Sequence, residues 1–401
     1  MVIKKLAISN THRLYWFSFF RMSIMVLPVL VPFFQSYGLN MHQIFLLQAI
    51  FGVGILFLEI PTGYISDLFG RKRALILGAF FCGLGFTYLC FAKTFWEMVI
   101  YEIILSFAFS FISGSDIAII YDSFGKDQRH EAARSLANMQ FAMVAGEAVS
   151  SIVGGIIVLS GYELLIRANA VVLWIPFILV WFIHEPPSEK MHRQKHWDNF
   201  KEVFHHIFKS GDEILFYSFF NLLVWSWSSF FIVWIMQKYW GDMGIALAMF
   251  GPLWAIYNIS AGFIGQRVQN WEKRWGPKAL LKSLALFSFL GYFGMALFGL
   301  APKGHWLGYL GVASGFFFPI VRGITQVQLK DAVNWRIPAK FRSTANSVQS
   351  FFFRLGFAVL GPGLGMLLDK RGAPLCLTII GLVFVLLTWF VLRPLLKRLP
   401  T

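Results

Sequence analysis

Apolar runs of about 20 residues recur along the whole chain, separated by short joints that carry most of the charge. Twelve such runs stand at roughly 14–36, 42–66, 74–92, 97–121, 136–160, 164–184, 214–237, 244–266, 278–300, 305–328, 342–367 and 373–395. Each is long enough to cross the ~30 Å hydrocarbon core of a bilayer as a helix. The pattern predicts an all-α integral membrane protein with twelve transmembrane helices in two six-helix halves, residues 1–184 and 214–401. The joint between them, 185–213, opens on Glu185-Pro186-Pro187 and holds the longest polar stretch. Within it Trp197, Phe200, Val203, Phe204, Ile207 and Phe208 recur at helical spacing against Lys201, Glu202 and Lys209. That predicts an amphipathic helix lying on the cytoplasmic membrane surface.

Composition agrees: 57% of residues are hydrophobic and 14% charged, with a mean hydropathy of +0.63, far from a soluble domain. The net charge of +15 is topological. With both termini cytoplasmic, cytoplasmic segments hold 25 of the 35 Lys and Arg, and the opposite loops hold only Lys93, Arg167, Lys238, Lys303, Lys370 and Arg371. This is the positive-inside asymmetry, and it requires an even number of crossings. It speaks against a nucleic-acid partner and for some attraction to anionic lipid. Cys82, Cys90 and Cys376 fall in or beside apolar runs without CxxC spacing and read as small core residues. His192, His196, His205 and His206 have no Cys or paired carboxylates beside them, so they read as polar positions of a wet helix and no metal is expected. Lys4 and Lys5 precede an apolar stretch with no small-residue cleavage site, as in a retained first helix. Short outer loops suggest a bacterial inner membrane.

The joint between the second and third runs reads Gly63-Tyr-Ile-Ser-Asp67-Leu-Phe-Gly70-Arg71-Lys72-Arg73-Ala-Leu75. Gly63 would let two helices approach closely, and Gly70 would let the chain reverse tightly. In spacing and residue type this stretch resembles the signature loop of major facilitator superfamily transporters, departing from it at Leu68. The resemblance implies two halves that rock about a site near the bilayer midplane. It also implies that Asp122 pairs with Arg71 and that Asp67 faces the start of the eleventh helix near Arg342, together holding the cytoplasmic side closed. The equivalent joint of the second half, Gly262 to Lys278, lacks the Asp and is longer. Gly146 with Gly154-Gly155, and Gly356 with Gly361-Pro362-Gly363 and Gly365, permit close packing or a kink.

Charges within the apolar runs are costly unless paired or hydrated. The first half carries Arg21, Glu59, Glu102, Asp116 and Glu147, and the second Arg322 and Arg354. Glu147 lies near mid-membrane. A carboxylate there has its charged form disfavoured, the physical requirement for proton coupling, so Glu147 is the first proton-site candidate and Asp116 the second. The alternative is a fixed ion pair with Arg21 or another Arg. Glu59 reads as part of the gate, and Glu102, nearer the outer surface, as hydrated. Arg21, Arg322 and Arg354 outnumber the two midplane carboxylates, which favours an anionic or zwitterionic substrate held by a planar guanidinium fork. Trp225, Trp227, Trp254 and Tyr257, with Asn258, would line a site for large amphipathic molecules; packing or lipid contact is the plainer reading for any one of them.

No HExxH, Gly-x-Ser-x-Gly, phosphate-cradling Gly-Lys-Ser/Thr or paired-Cys motif occurs, so neither an enzyme nor a cofactor is expected. The sequence points to a monomeric secondary transporter driven by a proton or other ion gradient, exporting small amphipathic drugs or metabolites. The other reading within the class is transport of an anionic metabolite such as a carboxylate siderophore or lipid head group.

Overall fold

The computed structural model describes residues 2–124, 128–186, 196–209, 211–338 and 341–399, apart from the side chains of residues 2–8, 67, 129, 196–200 and 343. Ten of its helical stretches are long and apolar enough to cross a membrane. The chain divides into two compact units. The first holds Met1–Leu39, Leu46–Arg193 and Leu247–Ile256; the second holds Asn40–Phe45, Gln194–Ala246 and Tyr257–Thr401.

The first unit is built from α1 (Val2–Arg21), α2 (Leu30–Ser36), α3 (Met41–Phe69, from Leu46 onward), α4 (Arg71–Leu89), α5 (Phe95–Ile112), α6 (Ser115–Ser123), α7 (Arg129–Ile157), α8 (Tyr162–Leu173) and α9 (Ile175–Val180). Its core joins Leu14 and Phe17 of α1, Leu75 and Ala79 of α4, Ile119 and Ile120 of α6, and Met139 of α7. Helix α7 lies close against α1 and the segment after it: a Cβ on Gly146 would stand 2.1 Å from the Phe19 carbonyl of α1, and one on Gly154 2.1 Å from that of Met25. Gly146 and Gly154 therefore serve packing.

Two expected helices are interrupted. The run 14–36 is not one unbroken helix, because α1 ends at Arg21 and Pro28 opens a new short turn. Proline lacks an N–H and disfavours helix in the residue before it. The Val26 N–H freed by this break is taken by Asn169 Oδ1 of α8 at 3.1 Å, as a buried backbone donor requires. The run 97–121 breaks at Gly114, whose φ of 80° ends α5 and starts α6; only glycine enters that region without strain.

The second unit holds α10 (His196–Lys209), α11 (Glu213–Asp242), α12 (Phe250–Trp275, from Tyr257 onward), α13 (Pro277–Phe298), α14 (Trp306–Ser314), α15 (Phe318–Ile324), α16 (Lys330–Arg336), α17 (Arg342–Leu387) and α18 (Arg393–Arg398). The expected helices 342–367 and 373–395 follow each other directly and are parted by non-helical backbone at Gly372, with φ 75°. Within α17, Gly356 packs on Trp227 and Gly365 on the Met41 carbonyl, so these glycines serve close approach. Between α15 and α16 the chain widens into a π turn over Thr325–Leu329.

Helix α10 forms within the joint where an amphipathic helix is expected. Part of its apolar face is turned to protein: Val203 and Ile207 are buried, and Phe208 meets the rings of Phe216, Phe219 and Phe220 on α11 and Phe352 on α17. Lys201 and Glu202 remain exposed. His192 lies outside the described residues, as do the side chains of His196, Trp197 and Phe200; His206 Nε2 stands 3.3 Å from the Arg336 carbonyl. No cluster of His, Cys, Asp or Glu suited to a metal ion occurs among the described residues.

Candidate functional site

In the first unit four carboxylates lie inside apolar helices, Glu59, Glu102, Asp116 and Glu147, and the last three each have a different partner. Asp116 stands in the first turn of α6, where the helix dipole favours an anion. Its Oδ2 lies 3.4 Å from Arg21 Nη2, with both side chains under a tenth exposed. Arg21 Nη2 also lies 3.4 Å from the Met143 sulfur, and Arg21 Nε is buried without a hydrogen-bond partner. The pair ties the end of α1 to the start of α6.

Glu147, half-buried on α7, accepts a 2.8 Å hydrogen bond from the indole N–H of Trp254, which belongs to the same unit. Glu102 on α5 is 2% exposed. Its Oε1 accepts a 2.8 Å hydrogen bond from Gln48 Nε2 of α3, itself buried. It forms no ion pair among the described residues. The expectation that Glu102 is hydrated is thus overturned, because α3 covers the face of α5 that carries it. The contact is one rung of a seam. Ser106 Oγ donates to the Phe51 carbonyl at 3.1 Å, Thr62 Oγ1 to the Ser110 carbonyl at 3.1 Å, and Ser66 Oγ and Ser115 Oγ share a 3.0 Å bond. Gly54 sits where a Cβ would come within 2.4 Å of Ser106 Oγ.

The loop after α3 is held by charge. Gly70, with φ 98°, makes the reversal expected of it and starts α4. Arg71 and Asp122 form an ion pair. Glu185 Oε1 and Oε2 accept from the backbone N–H groups of Arg71 and Lys72 at 2.8 and 2.7 Å, and Lys72 Nζ donates to the Trp181 carbonyl at 2.8 Å. Ser113 Oγ donates to Glu59 Oε1 at 3.3 Å. Gly63 differs from expectation: the space where its Cβ would stand is open to 4 Å, so it brings no neighbour closer. The side chain of Asp67 lies outside the described residues. Its expected neighbour Arg342 donates from Nε to the Asn334 carbonyl at 2.9 Å.

In the second unit Arg322 occupies the last turn of α15, one residue pair before the π turn. Its guanidinium is exposed, donates to Asn258 Oδ1 of α12 at 3.1 Å, and forms no ion pair among the described residues. The hydroxyl of Tyr257, next to Asn258, is buried without a hydrogen-bond partner. Gln326, one helical turn past Arg322, donates to Ser226 Oγ at 3.4 Å. Arg354 is half-buried, with Nε 3.3 Å from Ser350 Oγ. Trp227 donates to the Phe353 carbonyl at 3.0 Å. Trp225 is fully buried, donates to Asn221 Oδ1 at 3.0 Å and stacks on Phe384, so it contributes to the packed interior.

Two residues of this arrangement escape a reading of sequence alone. Glu185 reads there only as part of a polar joint, and its capping role depends on a partner more than a hundred positions away. Glu102 carries a local signal: Ser106 and Ser110 follow it at four-residue spacing, which marks a polar stripe on one face of the helix.

Comparison with known proteins agrees with this architecture. The family model described as Major Facilitator Superfamily matches residues 14–359. Among solved structures, a variant of the nucleoside transporter NupG superposes with a TM-score of 0.76 at 15% identity, over 96% of this chain and 99% of that one. A POT family transporter in complex with 5-aminolevulinic acid gives 0.75 at 14% identity, over 96% and 95%. A D-xylose-proton symporter gives 0.70 at 14% identity, over 96% and 97%. No curated protein matches. At these identities the solved structures speak for the fold, and the family match over most of the chain decides membership. The chain is a multi-pass membrane protein of the Major Facilitator Superfamily, a family of membrane transporters.

Proposed function

We propose that the protein is a proton-coupled secondary transporter that exports small amphipathic molecules by alternating access. On this reading twelve helices cross the inner membrane as two halves, 1–184 and 214–401, joined by 185–213. Both termini are cytoplasmic, and the protein works as a monomer. The Gly63–Lys72 loop, with Arg71 on Asp122, acts as a cytoplasmic latch.

The observation that carries proton coupling is Glu147. It is a half-buried carboxylate inside the apolar stretch His130–Ser160, hydrogen-bonded to a neutral indole donor. A group so placed can change charge at a cost that a gradient can meet. Asp116 has Arg21 beside it, which favours the second role considered for it, an ion pair between helices.

A specific observation also favours an anionic group on the cargo. Arg322 presents an exposed guanidinium within an apolar stretch, aligned by Asn258 and without a carboxylate among the described residues. Its planar fork suits carboxylate or phosphate. Tyr257 stands beside it with a hydroxyl to offer.

The test uses purified protein in proteoliposomes with a pH-sensitive dye inside and an imposed proton gradient. Cationic drugs, neutral drugs and anionic metabolites are added one class at a time. Proton flux is expected only with molecules that join an apolar body to a carboxylate or phosphate, with the sign of antiport. Glu147→Gln is expected to abolish that flux. Substrate movement without proton movement in every class overturns the reading.

A further inference from the structure

Among the described residues, Glu102 is the most deeply buried carboxylate of the first unit without a cation for a partner. Its element is firmly anchored: Thr94 and Glu97 form a reciprocal cap at the start of α5, and the α3–α5 seam fixes the face on which Glu102 stands. The groups around it are neutral. From α3 it meets the Gln48 amide. Beside it on α5 is Tyr101, buried against Phe86 of α4. Beyond Tyr101 lies Cys82 of α4, also buried. The nearby charges of the unit are engaged elsewhere, Asp116 with Arg21 and Glu97 in its cap.

An ionised carboxylate removed from water is tolerated when a cation or several hydrogen bonds compensate it. Among the described residues Glu102 has one amide donor on Oε1 and none on Oε2. A protonated carboxyl fits the same place, since its carbonyl oxygen accepts from Gln48 and its O–H needs no counter-charge. We propose that Glu102, held by Gln48, is a proton-binding site of this transporter, distinct from the Glu147 site.

The coupling role rests on the proton-driven reading above. On the proposed orientation, α5 starts at the outer face and Glu102 stands two turns inside it. A proton from the outer solution forms the O–H bond on Oε2. When that bond breaks on the opposite phase of the cycle, the proton leaves to water and the carboxylate negative charge returns, so charge and atoms balance.

The experiment is infrared spectroscopy of the full-length protein in lipid, titrated over about pH 5 to 10, a span that covers documented buried glutamates. Wild-type protein is expected to show a protonated-carboxyl C=O band at neutral pH. Glu102→Gln loses that band, and Glu147→Gln retains it. Gln48→Leu keeps the carboxyl but removes its donor, so the band moves; this variant carries the test if Glu102→Gln fails to fold. A band unchanged in Glu102→Gln, a band unmoved in Gln48→Leu, or no band in the wild type overturns the proposal. The infrared readout does not depend on transport. Wild-type protein that shows the Glu102 band yet moves no protons with any substrate class keeps the site and overturns the coupling.

Discussion

The two units handle intramembrane charge in opposite ways. The first buries acids and gives each a partner of different strength: a guanidinium for Asp116, an indole N–H for Glu147, an amide for Glu102. The second exposes a base, Arg322, whose partner among the described residues is a neutral amide oxygen. An opposite charge fixes a buried ion, whereas a single amide donor orients Glu102 without fixing its charge. On the proposed reading, the first unit responds to protons and the second to an anion. Asp116 is the exception, with its response given up to structure.

The largest expected effect tests that exception. Asp116→Ala leaves Arg21 buried and uncompensated, a change that costs about 3–5 kcal/mol. Thermal unfolding in detergent should show a clear loss of stability. The double variant Arg21→Met with Asp116→Leu should recover most of it, because a buried pair replaced by apolar volume is often neutral. If the single variant is as stable as the wild type, Asp116 rejoins Glu147 and Glu102 as a responsive acid, and the contrast within the first unit collapses.

An intermediate effect tests the second unit. Arg322→Ala should weaken binding of an anionic substrate about 10- to 100-fold, the worth of a charged hydrogen bond. A neutral analogue of the same shape should be little affected. Arg322→Lys should recover part of the loss, since an ammonium supplies charge without the fork. Competition transport with paired acid and ester substrates measures all three. Equal losses for acid and ester would make Arg322 a packing residue and leave the second unit without its base.

The helix pattern was legible because apolar runs of membrane length need only local composition, and nine of the expected helices match separate apolar stretches of the structure. The departures have local causes too. Pro28 and Gly114 each break a run whose hydropathy continues across them, whereas the last two runs part at Gly372, directly after Asp369-Lys370-Arg371, where polarity suggests an end. The Arg71–Asp122 contact followed from a resemblance, not from spacing, since its partners are far apart in the chain. Partners were the limit throughout. Glu102 and Glu147 look alike in sequence, each a single acid in an apolar run. What separates them is Gln48 on α3 and Trp254 near the start of α12, and neither neighbour can be read from the helix that bears the acid.

The smallest effect concerns the two joints that lead into α4 and α13. Both open on a glycine of positive φ, Gly70 at 98° and Gly276 at 80°. They differ in how the exposed N–H groups of the following helix are met. In the first unit the Glu185 carboxylate takes those of Arg71 and Lys72. In the second Pro277 stands at the first helical position and has no N–H to satisfy. Glu185→Gln removes the negative charge at the dipole end of α4, a loss of about 0.3–1 kcal/mol. Hydrogen exchange at Arg71 and Lys72 should therefore quicken about two- to five-fold, and added salt should narrow the gap between variant and wild type, because this cap is exposed and screened. Amides at the start of α13 should keep their rates under both changes. If they quicken together with those of α4, the two joints are not independent caps, and the first unit's reliance on charge at this loop is no longer what distinguishes it from the second.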